Sequence, residues 1–211
     1  MRAGRKATGL KELAGLPQMS LKLRTTLITL LTALLLVPAA GVAEAKKHRA
    51  PAKAQAAQEC ANADLDAAED NLPEIRAAIL CLHNQIRAEN DLPALRENKK
   101  LRKAALGHSR DMVKDSYFEH TTPEGVTMVD RILRAKYVRE DQGWALGENL
   151  AWGTGSYGTP RGAVEAWMDS PGHRANILKR SFRDMGVGIV LGVPVSDAAG
   201  TTYTVDFGVK R

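Results

Sequence analysis

A change of hydrophobic period along this chain leaves few architectures open to it. From Asn71, apolar residues recur at three- and four-residue steps, at Ile75, Ile79, Leu82 and Ile86, and this spacing predicts an amphipathic helix. Asn71 is its expected N-cap, Pro73 and Glu74 occupy its first turn, and Asn90 and Pro93 in "ENDLPAL" end it. A second helix is expected from Asn98 to Asp115, with Leu101, Ala105, His108 and Met112 on one side. "VTMVDRILRAKY" reads as a third, through Met128, Ile132 and Leu133. A fourth opens at "TPRGAVEAWM", where Thr159 suits the N-cap and Pro160 the first helical position. The C-terminal "MGVGIVLG" and "TTYTVDFGV" are instead rich in β-branched and aromatic residues, and read as two antiparallel strands joined by the loop "VPVSDAAG". "GWALGENLAWG" is a shorter, glycine-bounded candidate strand. Helices first and strands later predict an α+β domain in which helices cover a small antiparallel sheet.

The N-terminal part stands outside this pattern. Six Lys/Arg residues precede the apolar run "LITLLTALLLV", which leads into the small-residue stretch "AAGVAEA". That order is the layout of a secretory signal peptide, here residues 1–45, with Ala43 and Ala45 as an A-x-A cleavage site. The apolar run is shorter than the roughly 20 residues of a membrane span; an uncleaved N-terminal anchor is the competing reading. Residues 46–58, "KKHRAPAKAQAAQ", read as a basic, solvated linker, which also suits an anionic envelope surface. Residues 1–45 carry a net charge of +4 and residues 46–58 another +4, so in a chain of +6 the remaining residues 59–211 carry −2. The basic pI of the chain therefore belongs to its N-terminal segments, and a nucleic-acid groove is not expected on the domain. No nucleotide cofactor is expected either. About 150 residues after the linker are the size of one domain.

Cys60 and Cys81 both lie in the exported part, and an even count in an oxidising compartment predicts one disulfide. Closing that loop stabilises by about 3 kcal/mol in the chain-entropy model. A redox-active pair would need the C-x-x-C spacing, which is absent.

Four ionisable residues combine with local glycine, proline or turn residues: His120 in "FEHTTPEG", Glu148 in "GENLAWG", Glu165 in "VEAWMDS" and His173 in "SPGHRAN". Two imidazoles and two carboxylates could serve a divalent ion, or orient and deprotonate a water. Their separations, 28 residues from His120 to Glu148 and eight from Glu165 to His173, match no compact metal motif, so spacing alone does not unite them.

"HNQIRAENDLPAL", "FEHTTPEG", "GENLAWG", "AVEAWMDSPGHRANIL" and "VDFG" occur in the order seen in the CAP superfamily, which the chain resembles over residues 76–209. That superfamily groups cysteine-rich secretory, antigen 5 and pathogenesis-related proteins with bacterial SCP-like members. The resemblance implies a three-layer α-β-α sandwich with a central cleft, and a domain spanning residues 59–211. It also implies that the family's His-Glu-Glu-His tetrad falls on His120, Glu148, Glu165 and His173. The eukaryotic members' several disulfides, cysteine-rich extension and "GHYTQ"-type block are missing, which weakens any transfer of their roles.

Three functions follow from the resemblance. In the first, a secreted binding domain, free or kept at the cell envelope, holds zinc or another divalent cation through His120 and His173, and takes a small apolar molecule, a lipid or an envelope component. In the second, a metal-dependent peptidase or esterase uses Glu148 or Glu165 as its base. In the third, the tetrad is structural and the domain binds a protein partner. Other residues have plainer readings. His108 is expected as a packed core histidine, His83 on the surface of the first helix and His48 in the linker. Trp144, Trp152 and Trp167 are expected in the core or cleft wall. Asn149 and Asn176 are expected to tie loops to backbone groups, Ser170 to N-cap a helix, and Glu119 to point to solvent.

Overall fold

A computed structural model describes residues 59–211, so the leader, the linker and His48 lie outside the described residues. The elements are α1 (Leu72–Glu89), β1 (Arg96–Glu97), α2 (Lys99–Lys114), α3 (Met128–Arg134), β2 (Trp144–Gly153), a 3-10 turn (Gly155–Gly158), α4 (Pro160–Asp169), α5 (Pro171–Ile177), β3 (Asp184–Val193) and β4 (Ser196–Lys210). The four strands form one sheet in the order β1-β3-β4-β2.

Helices cover both faces, as a three-layer sandwich requires. On one face α1, α4 and α5 pack Ile75, Ile79, Leu82, Val164, Trp167 and Ile177 against Val187, Ile189, Val205 and Phe207 of the strands. On the other, α2 and α3 bring Leu101, Ala104 and Ile132 together with Tyr137 and Val138. The close approach of α2 depends on Gly186 and Gly188. A Cβ on Gly186 would stand 2.1 Å from the Arg102 nitrogen, and one on Gly188 2.3 Å from the Ala105 carbonyl carbon.

The sheet is mixed, a correction to the wholly antiparallel expectation: β2–β4 and β3–β4 are antiparallel, but β1 runs parallel to β3. β1 is two residues of the α1–α2 connection, pinned by Arg96 N–H to Arg183 C=O and by Asn98 N–H to Met185 C=O. A bridge so short carries no hydrophobic alternation to read. The stretch "VPVSDAAG" is likewise mostly strand. Val193 pairs with Ser196, leaving Pro194 and Val195 as the turn, and the ladder is irregular at Gly192, whose φ is 107°. Its outer residues are exposed and so show no apolar period. β2 is ten residues long rather than short.

Thr159 accepts from Gly162 N–H as the predicted cap of α4. Asn71 and Ser170 occupy the N-cap positions of α1 and α5 without capping through their side chains. Asn71 instead accepts from Ala68 N–H and donates to Asp66 C=O, holding the segment before α1. Cys60 and Cys81 form the expected disulfide, which fastens that segment to α1. Arg87, fully buried on α1, donates to the carbonyls of Pro93, Ile177, Lys179 and Phe182 and so fixes the chain after α5.

His83 is buried rather than at the surface. Its Nδ1–H donates to Ile79 C=O at 2.8 Å, and its ring lies 5.7 Å from those of both Trp167 and Phe207. It sits one residue after Leu82 on the helix side that the sheet covers, and burial pushes its pKa down to about 4. Trp167 is core and Trp144 borders the second cluster, but Trp152 is exposed at the far end of β2. No helix among the described residues is long and apolar enough to cross a membrane.

Candidate functional site

Side chains alternate along β2, so "GENLAWG" serves both layers at once. Gly147 and Asn149 face α5, and Glu148 faces α2 and α3. A Cβ on Gly147 would stand 2.8 Å from Asn176 Oδ1 and 3.0 Å from the Phe182 ring, so glycine admits α5 here. Asn149 Nδ2 donates to His173 C=O at 3.1 Å, while Asn176 Nδ2 donates to Glu148 C=O at 3.1 Å and to Asn149 Oδ1 at 2.9 Å. Trp167 Nε1–H donates to Leu150 C=O at 2.8 Å. Outward carbonyls of an edge strand are thus satisfied by the helices beside it. The two asparagines tie segments to backbone groups as expected and also bind each other.

On the other face, Glu148 is held from two sides. His120 Nδ1–H donates to Oε1 at 2.8 Å, and Arg131 Nη2 donates to Oε2 at 2.6 Å. The Glu148 side chain is 2% exposed and that of Arg131 7%, whereas His120 is 57% exposed. Arg131 also donates to the carbonyls of His120 and Val126, which sets the loop carrying His120. Burial alone would raise the Glu148 carboxyl; the His120 hydrogen bond and the Arg131 charge outweigh it and hold the group below its ordinary value. The same hydrogen bond raises the His120 pKa against the opposing effect of its partial burial.

Directly across the β2–β4 ladder from Glu148 is Asp206, fully buried, with no donor among the described residues meeting either carboxyl oxygen. Burial first and the neighbouring Glu148 charge second raise its pKa well above the ordinary value, because both disfavour the charged form. His108 extends this polar layer. It donates from Nε2 to Glu119 C=O at 2.9 Å and lies 3.4 Å from the Tyr117 hydroxyl, the packed histidine expected from its place on α2. Ser109 donates to Thr204 at 2.8 Å in the same layer. The Glu119 side chain faces solvent.

His173 stands near enough for the His120 charge to act on it: burial lowers its pKa and that charge lowers it further. Glu165 is elsewhere. Successive residues of a helix turn by about 100°, so with Ala163, Val164 and Trp167 buried against the sheet, Glu165 points the opposite way. It is exposed and takes part in none of the side-chain hydrogen bonds or ion pairs among the described residues. The structure therefore joins His120 to Glu148, adds Arg131 and Asp206, ties in His173 through its backbone carbonyl, and leaves Glu165 out. Asp206 was visible as an anomaly, a lone acid in the strand "YTVDFGV", whereas Arg131 is one of several cations in "DRILRAK". Nothing in their spacing links them to Glu148.

Neither glutamate is free to ligate the divalent ion that the resemblance implies, so the expected pair His120, through its Nε2, and His173 would hold it without them. Each Glu148 oxygen is engaged, Arg131 places a permanent cation against it, and Glu165 faces away. Two imidazoles remain, one short of the three protein ligands of an open zinc site. Among the described residues no three His, Cys, Asp or Glu side chains converge to hold a metal. Beside the cluster is a pocket of about 260 Å³ lined by His120, Thr121, Thr127, Met128, Val129 and Glu148.

Known proteins share this arrangement of helices and strands. A solved extracellular protein containing an SCP domain, from Bacillus anthracis str. Ames, is 32% identical, with a TM-score of 0.53 over 67% of this chain and 43% of its own. An outer surface protein from Borrelia burgdorferi is 21% identical, with a TM-score of 0.53 over 68% of this chain and 95% of its own, a likeness of fold. The uncharacterized membrane protein YlbC of Bacillus subtilis (strain 168) is 35% identical over 111 residues, 53% of this chain and 30% of YlbC. The uncharacterized protein YkwD of the same organism is 36% identical over 109 residues, 52% of this chain and 40% of YkwD. The chain thus spans less than half the length of either Bacillus subtilis relative. The model of the cysteine-rich secretory protein family, CAP, matches residues 80–207, more than half of the chain, and the chain belongs to that family.

Proposed function

We propose that this chain is an extracellular, non-catalytic binding domain whose pocket at His120 receives a small ligand. The observation that carries this reading is the state of Glu148. As a buried carboxylate accepting from both His120 and Arg131, it is held as an anion, and a base must be free to take a proton in order to work. Ser170, the nearest hydroxyl in sequence to His173, has no side-chain hydrogen bond to a base among the described residues, so no activated nucleophile is assembled. Recognition, by contrast, asks for a fixed polar rim and an apolar wall. His120, Thr121 and Thr127 supply the rim, Met128 and Val129 the wall. An extracellular place is supported by the signal-peptide pattern and by the extracellular relative from Bacillus anthracis.

Native mass spectrometry of the chain purified from a secreting host, without chelator, tests this. A small organic mass should accompany the wild-type protein and be absent from Met128→Trp, which fills the pocket. Hydrolysis of a peptide or ester panel that disappears in Glu148→Gln would overturn the reading in favour of an enzyme.

A further inference from the structure

One end of the sheet concentrates positive charge that the domain's net −2 conceals. The starts of β1, β2 and β3 and the end of β4 meet there: Arg96 is in register with Asp184, Asp184 with Gly208, and Trp144 with Lys210. Arg211 N–H donates to Gly143 C=O, and Lys210 Nζ lies 4.8 Å over the Tyr137 ring, whose hydroxyl donates to Asp184. α2 begins at the same end, because Asn98 N–H bonds Met185 C=O. Arg96, Lys99, Lys100, Arg180, Lys210 and Arg211 are all exposed, and none is in an ion pair among the described residues. The acids nearest them are engaged: Asp184 by Tyr137, and Glu97 by Arg76 and Arg102. Glu89, Asp91 and Glu140 are the free acids on the adjoining segments, half as many as the free cations.

Local stability does not ask for this arrangement. Lys99 and Lys100 stand in the first turn of a sixteen-residue helix, which has no acid in that turn, and the helix dipole disfavours cations at that terminus. The opposite end has the reverse charge. Glu59, Asp66, Glu69 and Asp70 precede α1 outside any ion pair among the described residues, Asp64 between them is paired with Arg161, and Asp66 lines a pocket there with Gly200 and Thr201.

We infer that the basic end of the sheet is a docking surface for a linear phosphate-bearing polyanion of the cell exterior. A polymer fits better than a bilayer, because the exposed large apolar residues, Leu65, Trp152, Tyr157 and Val195, all lie away from this end and offer nothing to insert beside the cations. The surface is independent of the His120 pocket.

The test uses the full chain, with long-chain inorganic polyphosphate as the probe. Two double variants change net charge equally: Arg180→Glu/Lys210→Glu at the basic end, and Arg110→Glu/Lys114→Glu on the exposed side of α2 towards its other end. The first should weaken polyphosphate binding at low salt by at least about tenfold and lower the slope of log affinity against log salt by about two. The second should change affinity less than about twofold, with circular dichroism unchanged in both. Equal losses in the two variants would mean that net charge alone acts, and no loss in either would place binding on the basic residues 46–58; each result overturns the inference. Tighter binding to phosphatidylglycerol vesicles than to polyphosphate would overturn it in favour of a membrane.

Discussion

The two faces of the sheet are covered by helices in similar ways and filled in opposite ways. Under α1, α4 and α5 the strands present Val187, Ile189, Val205 and Phe207, with the Phe182 and Phe207 rings stacked at 5.6 Å. Under α2 and α3 the same strands present Gly186, Gly188, Thr204, Asp206 and Glu148. The first face buries hydrocarbon and gains stability from the area removed from water. The second buries the Glu148 carboxylate, the Arg131 guanidinium and the Asp206 carboxyl, whose desolvation opposes folding unless they are paired. The contrast teaches that stability and site are divided between layers. The apolar face can hold the domain together while the polar face carries groups that a stability-optimised core would replace.

The largest test of that division is Arg131→Met. Leaving Glu148 buried with His120 as its sole partner should destabilise the domain by about 3–5 kcal/mol in urea denaturation, and the double variant Arg131→Met/Glu148→Leu should recover most of the loss. If the double variant stays as unstable as the single, the ion pair is not the polar face's main liability. The apolar face has one titratable exception, His83. Its pKa lies near 4 in the folded chain against an ordinary 6.5, so the unfolded chain binds more protons between those values. Stability should therefore fall as pH drops from 6.5 to 4, by on the order of 3 kcal/mol from this group. His83→Gln should show a flatter pH dependence in that window, and an unchanged slope would assign the effect to the carboxylates.

Asp206 works in the opposite direction. Its folded pKa is raised, so its contribution is intact below the ordinary value of 3.8 and is lost as pH rises towards the folded value. Asp206→Asn should raise Tm at pH 7 by about 2–4 °C for each kcal/mol regained, and should converge with the wild type near pH 3. A lower Tm at pH 7 would mean that the acid has a partner that an amide cannot replace. The smallest effect is expected at Glu165, which belongs to neither face. Glu165→Ala should leave urea stability within about 0.5 kcal/mol and the small-molecule mass in native spectra unchanged. Loss of the bound mass would return Glu165 to the site.

Periodicity located what repeats. α1, α2 and α4 and the β3–β4 pair are each long enough for alternation or a three-to-four step to emerge above composition. β1, with two residues, and the hairpin extension Ser196–Ala199, with exposed small and polar residues, carry no such signal. The same limit explains His83: one polar residue on the buried side of an amphipathic helix reads as surface until its neighbours are known. The "GENLAWG" and "SPGHRAN" blocks marked the neighbourhood of the site, but not the direction in which each side chain points.

The chain's local pattern is enough for the α+β class, for the pairing of Cys60 with Cys81 and for the nomination of His120, Glu148, Glu165 and His173. These rest on local spacing, on a count of two thiols and on contiguous motifs. Only the tertiary structure decided that Arg131 and Asp206 join Glu148 and that Glu165 does not, because that depends on strand register and helix rotation. Register sets Asp206 opposite Glu148, and a helical turn of about 100° per residue carries Glu165 away from the sheet that buries Trp167. Neither is a property of any one segment; both are settled when the layers pack.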